Sequence, residues 1–223
     1  MNNKRGTRKR VSGKIDHKRD NRRTVCNRFV WTDDQIEFVD DPRVTDYTIG
    51  EHQHRLAAWA AGRAASVKGC RFKVKQARLM LEAAGFTAAF ADPSKLPKTA
   101  NMDRVHRRWR LTIIKAAKTM GLTFSHGVAA KLINCYLKIR FVCGGLHENK
   151  RVQCLHPPID EVLLKELAWQ DFGGFGREWE QFRQTRWSKF DSQTYQDVIN
   201  HIRSSIPAGT PLWKIEMHWE GHQ

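Results

Sequence analysis

From Glu51 to Trp219, apolar residues recur at three- and four-residue intervals in segments that stop at glycine or proline. That spacing gathers them on one face of a helix, and nowhere does the chain hold the long alternation that suits a strand. The pattern predicts helices over about 51–66, 73–84, 102–120 and 128–142, then from Asp160 through Leu167, and over 192–205 and 212–219. Gly85 and Gly121 stand where C-terminal caps belong, and Pro93 with Pro97 marks 86–100 as a loop. The first helix shows Leu56, Trp59, Ala60, Arg63 and Ala64 at helical spacing. The third lines one face with Val105, Trp109, Ile113, Ala116 and Met120, with Arg104, Arg107, Arg108 and Arg110 around the rest. The expected architecture is all-α: one helical domain over 29–223 behind an N-terminal arm.

Charge points to a partner. The 223 residues carry 39 Lys and Arg against 23 Asp and Glu, a formal net charge of +16. Such a field attracts polyanions, and nucleic acid is the commonest polyanion met by a basic domain. Eleven of the basic residues fall within 1–28, against only Asp16 and Asp20. A segment so charged and so poor in apolar residues cannot offset its ordering entropy, which predicts a disordered basic arm that adds non-specific DNA affinity. No run of 18 apolar residues is present and the basic N-terminus lacks a signal-peptide core, so the expectation is a cytoplasmic monomer without a membrane partner. Five scattered cysteines do not suggest a disulfide framework.

The chemistry concentrates in Gly127-Val128-Ala129-Ala130-Lys131, which follows a helix, the Gly121 stop and the short turn ending in Ser125-His126. A tight hairpin that enters a helix presents unpaired N–H groups that, with the helix dipole, can bind a phosphate. Ser125, His126, Gly127, Val128 and Ala129 are the candidate DNA contacts, with Gly127 expected to let the strand come close. Lys131 lies one turn further along, and an amine can attack a sugar C1′ to form a Schiff base. Asp160 heads a later helix, where the dipole favours its ionised form and it can stabilise a cationic sugar.

This arrangement resembles the helix–hairpin–helix superfamily of DNA glycosylases, the class that includes endonuclease III and 8-oxoguanine DNA glycosylase. Gly127-Val128 and Lys131 keep the spacing of its hairpin signature, and Ile159-Asp160 matches its apolar-Asp step. The resemblance covers about 102–170. It implies Lys131 as nucleophile and Asp160 as essential carboxylate in a glycosylase with or without lyase activity, serving repair or anti-phage defence. The pattern departs at Ala129, where the signature has a second glycine, and at Ser125-His126 in place of Leu-Pro. The separation of Lys131 from Asp160 is also long, so that 144–157 reads as an insertion. No cluster of four cysteines follows, which sets the chain apart from the iron–sulfur branch and predicts no cofactor. A non-catalytic helix–hairpin–helix DNA-binding protein, with Lys131 on a phosphate, is the alternative.

Two further groups invite assignment. Trp187, Lys189 and Phe190 could wall a pocket for a turned-out base, or serve as core. Cys143, His147, Cys154 and His156 fall within fourteen residues, but their spacing lacks the paired knuckles of strong zinc sites, and no metal is expected there. His52 and His54 read as exposed at a helix start, and Trp213 and Trp219 as core seals.

Overall fold

The computed structural model describes residues 47–221, and every described element is helical. The 1–28 arm and most of the lead-in that follows it lie outside the described residues. Eight α-helices run as α1 (Ile49–Ala65), α2 (Val74–Ala83), α3 (Met102–Thr119), α4 (His126–Leu137), α5 (Lys150–Gln153), α6 (Glu161–Trp169), α7 (Gly176–Thr185) and α8 (Ser192–Ser205). A 3₁₀ turn, Leu212–His218, follows them. Among the described residues no helix is long and apolar enough to cross a membrane.

Local chemistry sets the boundaries. Thr48, Ser125, Asp160 and Asp191 each accept a backbone N–H of the first turn of α1, α4, α6 and α8 respectively. Gly121 closes α3 at φ +73, and the Leu122 N–H returns to the Ala117 carbonyl. The helix expected to continue to Val142 changes character at Leu137. It runs on as a π-helical stretch, Lys138–Leu146, that ends where Gly145 turns to φ +84.

α4 is the centre. Every residue from Gly127 to Leu137 is buried, because α1, α3, α8 and the 3₁₀ turn Trp187–Lys189 surround it. Burial on all sides explains why its sequence shows no polar face. The stripe read for α1 is corrected. Leu56 is 51% exposed and Trp59 54%, whereas Ala57, Ala58, Ala61 and Ala65 are buried. Small residues let α1 approach its neighbours closely, and Gly62 lies against Ala77 of α2 where a Cβ would already crowd it. In α3 the buried residues are Met102, His106, Arg110, Ile113 and Ala117, so one of the four arginines assigned to the surface side, Arg110, faces inward.

Candidate active site and its polar surroundings

Lys131, Cys135 and Lys138 follow one another at four and three residues, so one face of α4 presents all three. They line a cavity of about 340 Å³. Ala60 and Ala64 of α1 form one wall, Pro158 and Asp160 another, and Glu216 with Trp219 closes it from the C-terminal turn. Lys131 is 7% exposed, and its Nζ donates to Asp160 Oδ2 at 2.8 Å. The same carboxylate oxygen accepts the Trp219 indole N–H at 3.0 Å, while Oδ1 accepts the Leu163 N–H at 3.0 Å as the cap of α6. Asp160 is thereby fixed by three donors, and the backbone cap aims it. Lys138 is ion-paired with Glu216. Burial pushes the Glu216 carboxyl up, and the Lys138 ammonium offsets that in part. Burial likewise pushes the Cys135 thiol up.

The structure brings together Lys131 and Asp160, but it redistributes the other sequence-predicted residues. Trp187 is 9% exposed and backs the amine, its ring centroid 5.8 Å from Lys131 Nζ, rather than lining the cavity. Phe190 is fully buried in the core, and Lys189 is exposed. The aromatic on the cavity wall is Trp219, which sequence reasoning placed as a core seal; 59 residues separate it from Asp160, and nothing local signals the meeting. Glu216 was missed for the same reason.

The proposed phosphate contact at the hairpin is corrected. The Gly127 N–H already donates to the Phe190 carbonyl at 3.1 Å, and the Val128 N–H to Ser125 Oγ at 3.1 Å. Ser125 Oγ itself donates to the Ser188 carbonyl at 2.7 Å. Val128 and Ala129 are buried. The close neighbour that requires glycine at 127 is the Trp187 carbonyl, which a Cβ would overlap. The segment 187–190 thus occupies the place assigned to a DNA strand. Of the five candidates only His126 faces an open cleft.

His156 is removed from the zinc set by a different set of partners. Its Nδ1 bonds Tyr195 Oη at 3.0 Å and its Nε2 bonds Asp103 Oδ1 at 2.9 Å. Asp103 also receives a two-pronged Arg203 at 2.6 and 2.7 Å. Asn134 joins His106, the Pro157 carbonyl and Tyr195. The long loop is therefore tied down by a buried polar network, through His156 on Asp103 and Tyr195 and through Asn134 on the Pro157 carbonyl. His54, read as exposed, is also buried, between Tyr136 and Glu82.

The network makes stability sensitive to acid. Burial holds His106 and His156 below their ordinary value of 6.5. The folded chain then binds fewer protons than the unfolded chain below that value, so the stability they contribute is present above 6.5 and falls as pH drops. Burial opposes ionisation of Asp103, but Arg203 and His156 outweigh it and hold the carboxyl well below 3.8. Its contribution is lost in turn, at lower pH. The thermal midpoint is expected to fall between about pH 7 and about pH 5 and more steeply below about pH 4; a flat profile across the first interval would contradict the buried neutral histidines.

No protein-family model matches the chain, and neither does any curated protein or solved structure.

Proposed function

We propose that this chain removes a base from DNA through Lys131 and Asp160. The observation that supports this most is their meeting at 2.8 Å in one cavity, although 29 residues separate them in sequence. A nucleophile, a carboxylate fixed by three donors and an aromatic wall are what base removal needs once the nucleotide leaves the stack. Lys131 first passes a proton to Asp160 Oδ2. The neutral amine attacks C1′, the N-glycosidic bond breaks, and its electron pair leaves with the base, which takes up a proton. The nitrogen then loses a proton as the sugar ring opens, with C1′–O4′ breaking and O4′ protonated, to leave a Schiff base. If water attacks instead, Asp160 stabilises the positive charge on the sugar and the enzyme is a simple glycosylase. Repair of damaged bases and defence against phages with modified bases both use this reaction.

Borohydride trapping of the full chain on abasic duplex tests the lysine route. A covalent adduct is expected. Asp160→Asn should keep DNA binding and the α6 cap, since asparagine caps as well as aspartate, and lose turnover by about 10²-fold or more. A second reading, a DNA-binding protein without catalysis, is favoured by one feature: Asp160 caps α6 and closes on Lys131 as a structural ion pair does. Duplex binding with neither adduct nor base release would select it.

A further inference from the structure

A second cleft, of about 720 Å³, lies between the first half of α3 and the start of α8. Arg104, Arg107 and Arg110 enter it from α3, and His126, the first residue of α4, stands beside them. Arg110 is 1% exposed, yet its Nε and Nη1 have no hydrogen-bond partner. Its guanidinium lies 4.3 Å from the centre of the Tyr195 ring, a favourable cation–π contact that leaves those N–H groups unused. His126 Nδ1 is buried and unpartnered as well. Among the described residues no carboxylate pairs with any of the three arginines.

Two carboxylates do line the cleft. Asp103 is held by Arg203, His156 and Gln196. Asp191 caps α8 through the Thr194 N–H at 2.8 Å. Both are committed to partners, so the three guanidinium groups dominate the open space. A buried guanidinium without an acceptor forfeits hydrogen bonds that it makes in water, a cost native folds rarely leave unmet. The missing acceptor has a definite character: anionic, with several oxygens to meet a planar fork from more than one side.

We propose that this cleft is a phosphate-binding site, with Arg110 as its buried anchor and Arg104 and Arg107 as its exposed clamps. The phosphate comes either from a nucleic-acid strand or from a free phosphate compound. The strand as source rests on the proposed DNA function; the site itself does not. It also supplies the contact that the hairpin, closed by 187–190, does not offer.

The test compares the full chain with Arg104→Ala/Arg107→Ala, and with Arg108→Ala as control, an exposed residue of α3 outside the cleft. Each is titrated with a short labelled duplex over a range of salt, and separately with inorganic phosphate followed through arginine side-chain resonances. With duplex, the double variant is expected to lose about tenfold or more in affinity and to flatten the salt slope by about one to two phosphate contacts. The control should stay within about twofold. Arg110→Met is expected to abolish the phosphate-induced shifts; if it fails to fold, the double variant still decides. Loss of inorganic phosphate binding with unchanged duplex affinity would assign the site to a free phosphate compound. Unchanged binding of both probes, or an equal loss in Arg108→Ala, would overturn the proposal. Since binding is read without turnover, unchanged duplex affinity in the double variant beside a trapped Lys131 adduct in the parent would sink the strand as source and leave base removal standing.

Discussion

A Lys131→Gln chain is expected to give no borohydride-trapped adduct with abasic duplex and no strand cleavage, a loss of about 10³-fold or more, with duplex binding intact. The reason is positional. Lys131 is the amine of the cavity that lies on the carboxylate of the proposed reaction, at 2.8 Å from Asp160 Oδ2. The other amine there, Lys138, is turned to Glu216. Lys138→Gln should therefore keep the adduct, and the two variants together separate a nucleophile from general positive charge. Folding should survive the first change. Removing one partner of a buried ion pair can cost several kcal/mol by leaving the other charge uncompensated. Asp160 keeps the Leu163 and Trp219 donors, and glutamine can still donate to Oδ2, so about 1–2 kcal/mol is the expected cost. An adduct that persists in Lys131→Gln would place the nucleophile elsewhere and sink the proposed reaction.

The sequence made some of this legible because the relevant physics is local. Caps and stops depend on a few neighbouring residues, so Gly121, Asp160 and the span Ser192–Ser205 could be read directly. Which face of a helix is buried depends on how closely its partner approaches. α1 lies close to α4 through alanines, and that leaves the larger Leu56 and Trp59 outside, against the ordinary ranking of apolar size. Arg110 looked like one of four surface arginines because its aromatic partner, Tyr195, lies 85 positions further along the chain. Trp219 and Glu216 reach the cavity from the C-terminal turn, and only the fold makes them neighbours of Lys131. His156 stood close to cysteines in sequence, but its partners lie on α3 and α8. Its place in a hydrogen-bonded junction depends on contacts across the fold that proximity along the chain does not show.

Gly127→Ala should be among the most destabilising single changes in the chain, about 3 kcal/mol or more, with a matching drop in thermal midpoint. The cause is not backbone torsion, because Gly127 has helical geometry and is absent from the residues of positive φ. It is space: a methyl group at 127 would overlap the Trp187 carbonyl and crowd Phe190 Cβ at 3.2 Å. Relief requires moving the 187–190 segment off the start of α4. That breaks the Gly127 N–H bond to the Phe190 carbonyl and the Ser125 bond to the Ser188 carbonyl. It also withdraws the Trp187 ring from Lys131. Stability and chemistry should therefore fail together at this position, in contrast with Lys131→Gln, where chemistry is lost at a smaller cost in stability. A direct DNA contact at Gly127 predicts the opposite pattern, weakened binding in a chain of unchanged stability. Thermal denaturation beside duplex titration distinguishes the two, and a normal midpoint in Gly127→Ala would show that 187–190 does not seal the helix start.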